Sequence, residues 1–265
     1  MNVHIIGRGG VGSALGRSLR SSGRHRVTTG GRRPQPSRER AADVIVLAVP
    51  DDAIQTTAIS IAPNLTPGVC VLHCAGARGT EELDACKVRG ASVGVMHPLV
   101  SFPNARSHPS LEGTTFTVQG ERSAIAAGRQ IASACGARAV VARTGDPSYH
   151  AAAALAANGA AALAFASVRV LTRLGFERRA AERAIGGLLR TVGDNVERLG
   201  VPEALTGPIA RGEAETVAAH RRALRDVDEG ALSAYDAVLP VVVRCARAAG
   251  LSKRSAEKIL RLVRR

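Results

Sequence analysis

The stretch "VHIIGRGGVGSALGRSL", residues 3–19, decides how the rest of the chain is read. A short apolar run leads into Gly7, Gly9 and Gly12, and an amphipathic run leaves them. In a G-x-G-x-x-G spacing each glycine has its own task. Gly7 permits a tight turn, Gly9 lets backbone approach a pyrophosphate, and Gly12 lets helix pack on strand. A helix beginning beside Arg8, Gly10 and Val11 offers unpaired N–H groups and the positive end of its dipole to phosphates. The spacing alone says little. Its place between a strand and a helix, heading a βαβ unit, makes it a dinucleotide-binding turn.

Working outward, apolar runs of strand length recur at 2–6, 25–29, 43–49, 69–73, 92–96, 114–118 and 138–142. "DVIVLAVP" is continuously apolar, as a strand covered on both faces of a parallel sheet should be. Helical patterns lie between. In 10–22 the residues Val11, Ala14, Leu15 and Leu19 share a stripe and Gly23 stops it, and 121–135 repeats the pattern. Strands alternating with helices predict a doubly wound α/β domain. After "RTGDPSYH" the pattern changes. Asp146 is placed to cap a helix with Pro147 at its first position, and helices are expected at 147–174, 177–199, 213–226, 230–249 and 252–264. The reading is an α/β dinucleotide-binding domain over 1–145 and an all-helical substrate and dimerisation domain over 146–265.

The end of the second strand selects the dinucleotide. NAD sites place Asp or Glu there for the ribose hydroxyls. This chain reads "HRVTTGGRRP", with Arg32 and Arg33 and no acid, which favours the 2′-phosphate of NADP through charge-assisted contacts. The chemistry is expected beyond the carboxyl ends of the central strands, where "AVPDD", "HCAGA" and "MHPLVSF" converge. These loops place Ala48, Val49, Pro50, His73 and Cys74 with the cofactor and Ser101 with the substrate. His97 is the candidate proton donor or substrate clamp, because imidazole titrates near neutral pH. No base accompanies Cys74, so it reads as a small residue against the nicotinamide rather than a nucleophile.

The formal charge of +14 is almost all arginine. It is concentrated in residues 244–265, where eight basic side chains face one acidic side chain (8 − 1 = +7). The tail reads either as a polyanion-binding segment or as a solvated helix, and the absence of Trp weighs against stacking on single-stranded nucleic acid. Five scattered cysteines suit reduced thiols in a cytoplasmic protein and form neither a disulfide framework nor a metal site. With a strand expected directly behind Met1, no signal peptide is expected. The alanine-rich run 149–171 contains His150, Asn158 and Arg169 and is expected to be a buried helix of a soluble domain, not a membrane span.

Six segments in this order carry a resemblance: "IIGRGGVGSAL", "ADVIVLAVPDDAI", "VLHCAGARGTEEL", "GVMHPLVSFP", "YHAAAALAANGAAAL" and "ALTGPIARGEAETVAAH". Together they resemble the Rossmann-like proteins of the 6-phosphogluconate dehydrogenase-like superfamily with a helical C-terminal domain of unknown function. Relatives include pyrroline-5-carboxylate reductase, ketopantoate reductase and the deazaflavin-dependent NADP oxidoreductases. The resemblance implies a nicotinamide enzyme with its substrate between the two domains, in a superfamily whose helical domains commonly dimerise. It does not imply a substrate. With Arg32 and Arg33 the expectation is an NADP(H)-dependent oxidoreductase moving a hydride to or from a small carbonyl or imine. The Ala/Gly-rich face of 151–164 predicts a homodimer through the helical domain. Where some branches keep a lysine before an asparagine, "YHAAAALAAN" offers Asn158 and alanines. Either His97 replaces that lysine as the acid or the substrate is an imine. His150 and Asn158 join His97 at the catalytic centre as substrate contacts. Arg211 and Thr206 are further substrate candidates, and Thr206 is also expected to cap a helix begun by Pro208. A non-catalytic NADP sensor and a nucleic-acid-associated protein are the alternative classes.

Overall fold

The computed structural model describes residues 1–104, 109–143 and 145–263; Thr144 of the expected link and the last two arginines of the tail lie outside them. Two compact units are present, Met1–Ala154 and Leu155–Arg265, so the division falls inside a helix, later than the expected 145/146 boundary.

The first unit is built on seven strands: β1 (Asn2–Ile6), β2 (Arg26–Gly30), β3 (Val44–Leu47), β4 (Cys70–His73), β5 (Ser92–Pro98), β6 (Thr115–Gly120) and β7 (Arg138–Val141). Their order is β2-β1-β3-β4-β5-β6-β7. All neighbours are parallel except β5 and β6, whose antiparallel register sets His97 opposite Thr117. Among the described residues no helix separates β5 from β6, so no crossover forces them parallel. Ile45, Val46 and Leu47 are fully buried and alternate between two apolar clusters, which shows that both faces of the sheet are covered. Helices α1 (Gly10–Ser22), α2 (Pro36–Arg40), α3 (Ile54–Ile61), α4 (Asp84–Val88) and α5 (Arg122–Ala134) provide that cover. Three of them are too short for periodicity to reveal. Helix α1 ends as its sequence requires, with Gly23 in the left-handed region at φ 64°.

The long helix α6 (Pro147–Arg173) starts at Pro147, and the Ser148 N–H donates to Asp146 Oδ1 at 2.7 Å. In the second unit follow α7 (Arg178–Leu199), α8 (Ala214–Val227), α9 (Glu229–Ala248) and α10 (Lys253–Leu260). Val217, Leu239, Val243, Ala246 and Ile259 make its core. Asp228 caps α9 through the Ala231 N–H and is also met by Arg169 at 2.9 Å. The described part of the basic tail, residues 244–263, is folded into the second unit, with Ala256 and Ile259 buried among its core.

Two expectations fail here. Helix α6 has no buried residue, and α7 has only Ala181. Alanine covers little of its neighbours, and a cavity of about 280 Å³ stays open between α6, α7, α8 and α9, lined by Leu163, Val170, Ile185, Leu224 and Val238. By length and composition α6 alone among the described helices could cross a membrane. Thr206 caps no helix: residues 207–212 form turns, and α8 begins only at Ala214 because Gly207 and Gly212 take left-handed φ values of 94° and 75°.

Candidate functional site

The glycine turn is shaped by contacts that exclude side chains. Gly7 has φ 123°, and a Cβ on it would stand 2.1 Å from the Ala48 carbonyl oxygen. A Cβ on Gly12 would stand 2.3 Å from the Gly7 oxygen, so only glycine lets α1 sit this close to β1. Gly9 differs. Nothing lies within 4 Å of where its Cβ would be, so the protein's own packing does not demand glycine there. A ligand phosphate approaching the backbone would demand it.

A cavity of about 510 Å³ opens at this point. Gly7, Arg8, Gly9, Gly10, Val11, Arg32, Ala48, Val49, Pro50 and Cys74 line it, together with Gly31, Asp51 and Ala75. The first-turn N–H groups of α1 border it without intrahelical partners. Arg32 and Arg33 are both exposed and neither has an ion-pair partner among the described residues, but only Arg32 lines the cavity. The residues present thus fit a dinucleotide: an unpaired guanidinium for a phosphate, a helix N-terminus and a Cβ-free approach. Gly12 shapes the turn from behind. The loop after β5 reaches the same place, since a Cβ on Gly10 would meet Phe102 Cβ at 3.1 Å and the Asn104 carbonyl oxygen at 3.3 Å.

His73 does not face this cavity. Its ring is fully buried, Nδ1 accepts from the Ala75 N–H at 3.2 Å and Nε2 donates to the Gly79 carbonyl at 2.8 Å. It shapes the 75–79 loop instead, and burial lowers its pKa. Cys74 lines the cavity, and burial pushes its thiol up to about 12, so it stays protonated and is no nucleophile.

His97 stands beside this loop, with its ring packed flat on Gly76: a Cβ there would meet Cε1 at 2.8 Å. Its Nδ1 lies 2.8 Å from the Tyr149 hydroxyl, which lies 2.6 Å from Thr117 Oγ1. Thr117 in turn donates to the His97 carbonyl at 3.3 Å. The His150 ring lies 6.4 Å away. Burial, then His150, lowers the His97 pKa to about 4, against a weaker opposing pull from Asp51. This corrects the expectation that it titrates near neutrality. Tyr149, Thr117 and Gly76 were missed in the sequence. Tyr149 was adjacent to a flagged residue in "DPSYH", but nothing local marks a threonine on a neighbouring strand.

The remaining candidates have surroundings of their own. Ser101 is exposed in the loop after β5. Asn158 is exposed on α6 within the second unit, whereas His150 falls in the first. Arg211 is held by Glu213, Nε to Oε1 at 2.5 Å, and is not a free clamp. Among the described residues no group of His, Cys, Asp and Glu could hold a metal ion, and all five cysteines are free.

Sheet order, glycine turn and helical second unit define a Rossmann-type α/β fold followed by an all-helical unit. Residues 114–239 match the family model described as "Domain of unknown function (DUF2520)". A Thermotoga maritima protein is 23% identical with a TM-score of 0.67, the match covering 93% of this chain and 99% of that one. The pyrroline carboxylate reductase of Plasmodium falciparum, solved with NADP bound, is 12% identical with a TM-score of 0.65, covering 99% and 98%. A Streptomyces aurantiacus imine reductase is 16% identical with a TM-score of 0.61, covering 98% and 99%. At such identities the likeness is one of fold. No curated protein matches the chain in sequence.

Proposed function

We propose that this protein is an NADP(H)-dependent oxidoreductase that moves a hydride to or from a small carbonyl or imine compound. The observation that carries the reading is the cavity at the glycine turn. It joins the α1 N-terminus, an open Gly9 and an unpaired Arg32, and no carboxylate stands at the end of β2 where a ribose hydroxyl would be held. The fold neighbours support it: one is a reductase with NADP bound and another an imine reductase. When bound, the dinucleotide supplies the hydride. The chain's own residues hold its phosphates, keep a neutral thiol at Cys74 beside it, and bring His97 to the adjoining loop. The helical unit completes a homodimer in this reading, since the apolar faces of α6 and α7 are uncovered in a single chain. Isothermal titration of the purified protein with NADPH and NADH is the direct test. Saturable NADPH binding with weaker NADH binding is expected. Absence of binding to either overturns the reading.

A further inference from the structure

The hydrogen bonds around His97 form a closed ring whose direction follows atom by atom. A carbonyl oxygen can only accept, so the Thr117 hydroxyl, 3.3 Å from the His97 carbonyl, is the donor there. With its one proton given to the carbonyl, Thr117 Oγ1 accepts from the Tyr149 hydroxyl at 2.6 Å, a pair whose geometry by itself allows either oxygen to donate. The phenol proton is committed in turn, so the Tyr149 oxygen must accept from His97 Nδ1 at 2.8 Å. Nδ1 therefore carries the ring's proton. His97 stays neutral at neutral pH because burial and His150 oppose its charging, which leaves Nε2 a bare lone pair. No described residue hydrogen-bonds to Nε2.

We propose that Tyr149 and Thr117 are positioning residues that fix His97 as the Nδ1–H tautomer, and that the substrate group meeting Nε2 is a hydrogen-bond donor, the N–H of a protonated imine or of the amine it becomes. The tautomer stands on the ring of hydrogen bonds together with the burial that keeps the imidazole neutral. The substrate class rests on the oxidoreductase reading above. The chemistry balances without an acid. Hydride adds to the carbon of C=N⁺–H, the π pair becomes the nitrogen lone pair, and the N–H proton stays in place facing Nε2. A ketone would instead need a proton at the developing alkoxide, which a ring lacking Nε2–H does not hold.

The tautomer is read by long-range ¹H–¹⁵N correlation of the full-length protein at pH 7, with His97 identified by its loss in His97→Gln. A protonated-type Nδ1 and an unprotonated-type Nε2 are expected in the wild type. Tyr149→Phe and the near-isosteric Thr117→Val are each expected to move the pattern toward Nε2–H, in cofactor-free protein whose fold the same spectra report. An Nε2–H ring, or a doubly protonated one, in the wild type overturns the proposal, as does a pattern indifferent to both substitutions. For the substrate class, NADPH oxidation is followed with 2-methyl-1-pyrroline and with cyclopentanone. Preference for the imine by roughly a hundredfold is expected, the scale that a missing general acid sets. Equal turnover, or turnover of neither by protein that binds NADPH, overturns that half. Failure to bind NADPH would overturn the oxidoreductase reading while leaving the spectra to judge the tautomer.

Discussion

The Tyr149 hydroxyl lies 2.8 Å from His97 Nδ1, tying the first turn of α6 to β5 across 52 positions of sequence. Because the ring is held in a half-buried place and beside His150, its folded pKa is about 4 against 6.5 for a free imidazole. Between those two values the unfolded chain takes up a proton at His97 and the folded chain does not, so stability falls as pH falls through that window. His4 and His73, also lowered by burial, add loss in the same direction.

A first prediction follows from that sign. The wild type should lose up to about 3 kcal/mol more than His97→Gln between pH 6.5 and pH 4, the full linkage of a shift from 6.5 to about 4. Urea unfolding at several pH values measures it. Parallel curves for the two proteins would mean that His97 titrates normally when folded.

Arg32 and Arg33 leave the same strand end but only Arg32 borders the cavity. NADPH should bind roughly ten- to a hundredfold more tightly than NADH, the worth of one or two charge-assisted contacts. Arg32→Ala should remove more of that preference than Arg33→Ala, and Arg32→Asp with Arg33→Ala should reverse it. Equal wild-type affinities by calorimetry would remove the 2′-phosphate assignment.

Gly9 and Gly12 separate a ligand's demand for glycine from the fold's. Gly12→Ala drives a Cβ into the Gly7 carbonyl and should cost about 1–3 kcal/mol of stability. Gly9→Ala meets nothing and should leave stability within about 0.5 kcal/mol while weakening NADPH at least about tenfold. Thermal melts and titrations on both variants decide it. An unchanged NADPH affinity in Gly9→Ala would show that no phosphate passes there.

Helices α6 and α7 leave Leu155, Phe165, Leu188 and Leu199 each more than half exposed (78%, 66%, 59% and 54%). Such a surface needs a cover, and a second copy of the chain is the proposed one. Light scattering at micromolar concentration should report twice the 27.4 kDa chain mass, and Leu188→Glu should shift it toward the monomer. A monodisperse wild-type monomer contradicts the dimer, and recruitment to lipid vesicles would assign the face to a membrane instead.

The sequence by itself determined the β-strand, glycine turn and helix at residues 2–22, the arginine-ended second strand and the change to helices after Asp146. These are local matters: an apolar run, a backbone that tolerates no Cβ, a cap and a proline. Cys74 and the loops after β3 and β4 were legible for the same reason, because strand ends in a parallel sheet point one way. Tertiary structure decided the rest. His73 ends β4 and His97 lies one residue inside the end of β5, yet pairing in the 75–79 loop buries the first as a brace, while the antiparallel return of β6 gives the second Thr117 as a neighbour. The proton on His97 depends on residues at 117 and 149, which no short-range pattern connects. Likewise the alanine run of α6 has the composition of a buried helix, but burial belongs to whatever packs against it, and one chain does not supply enough.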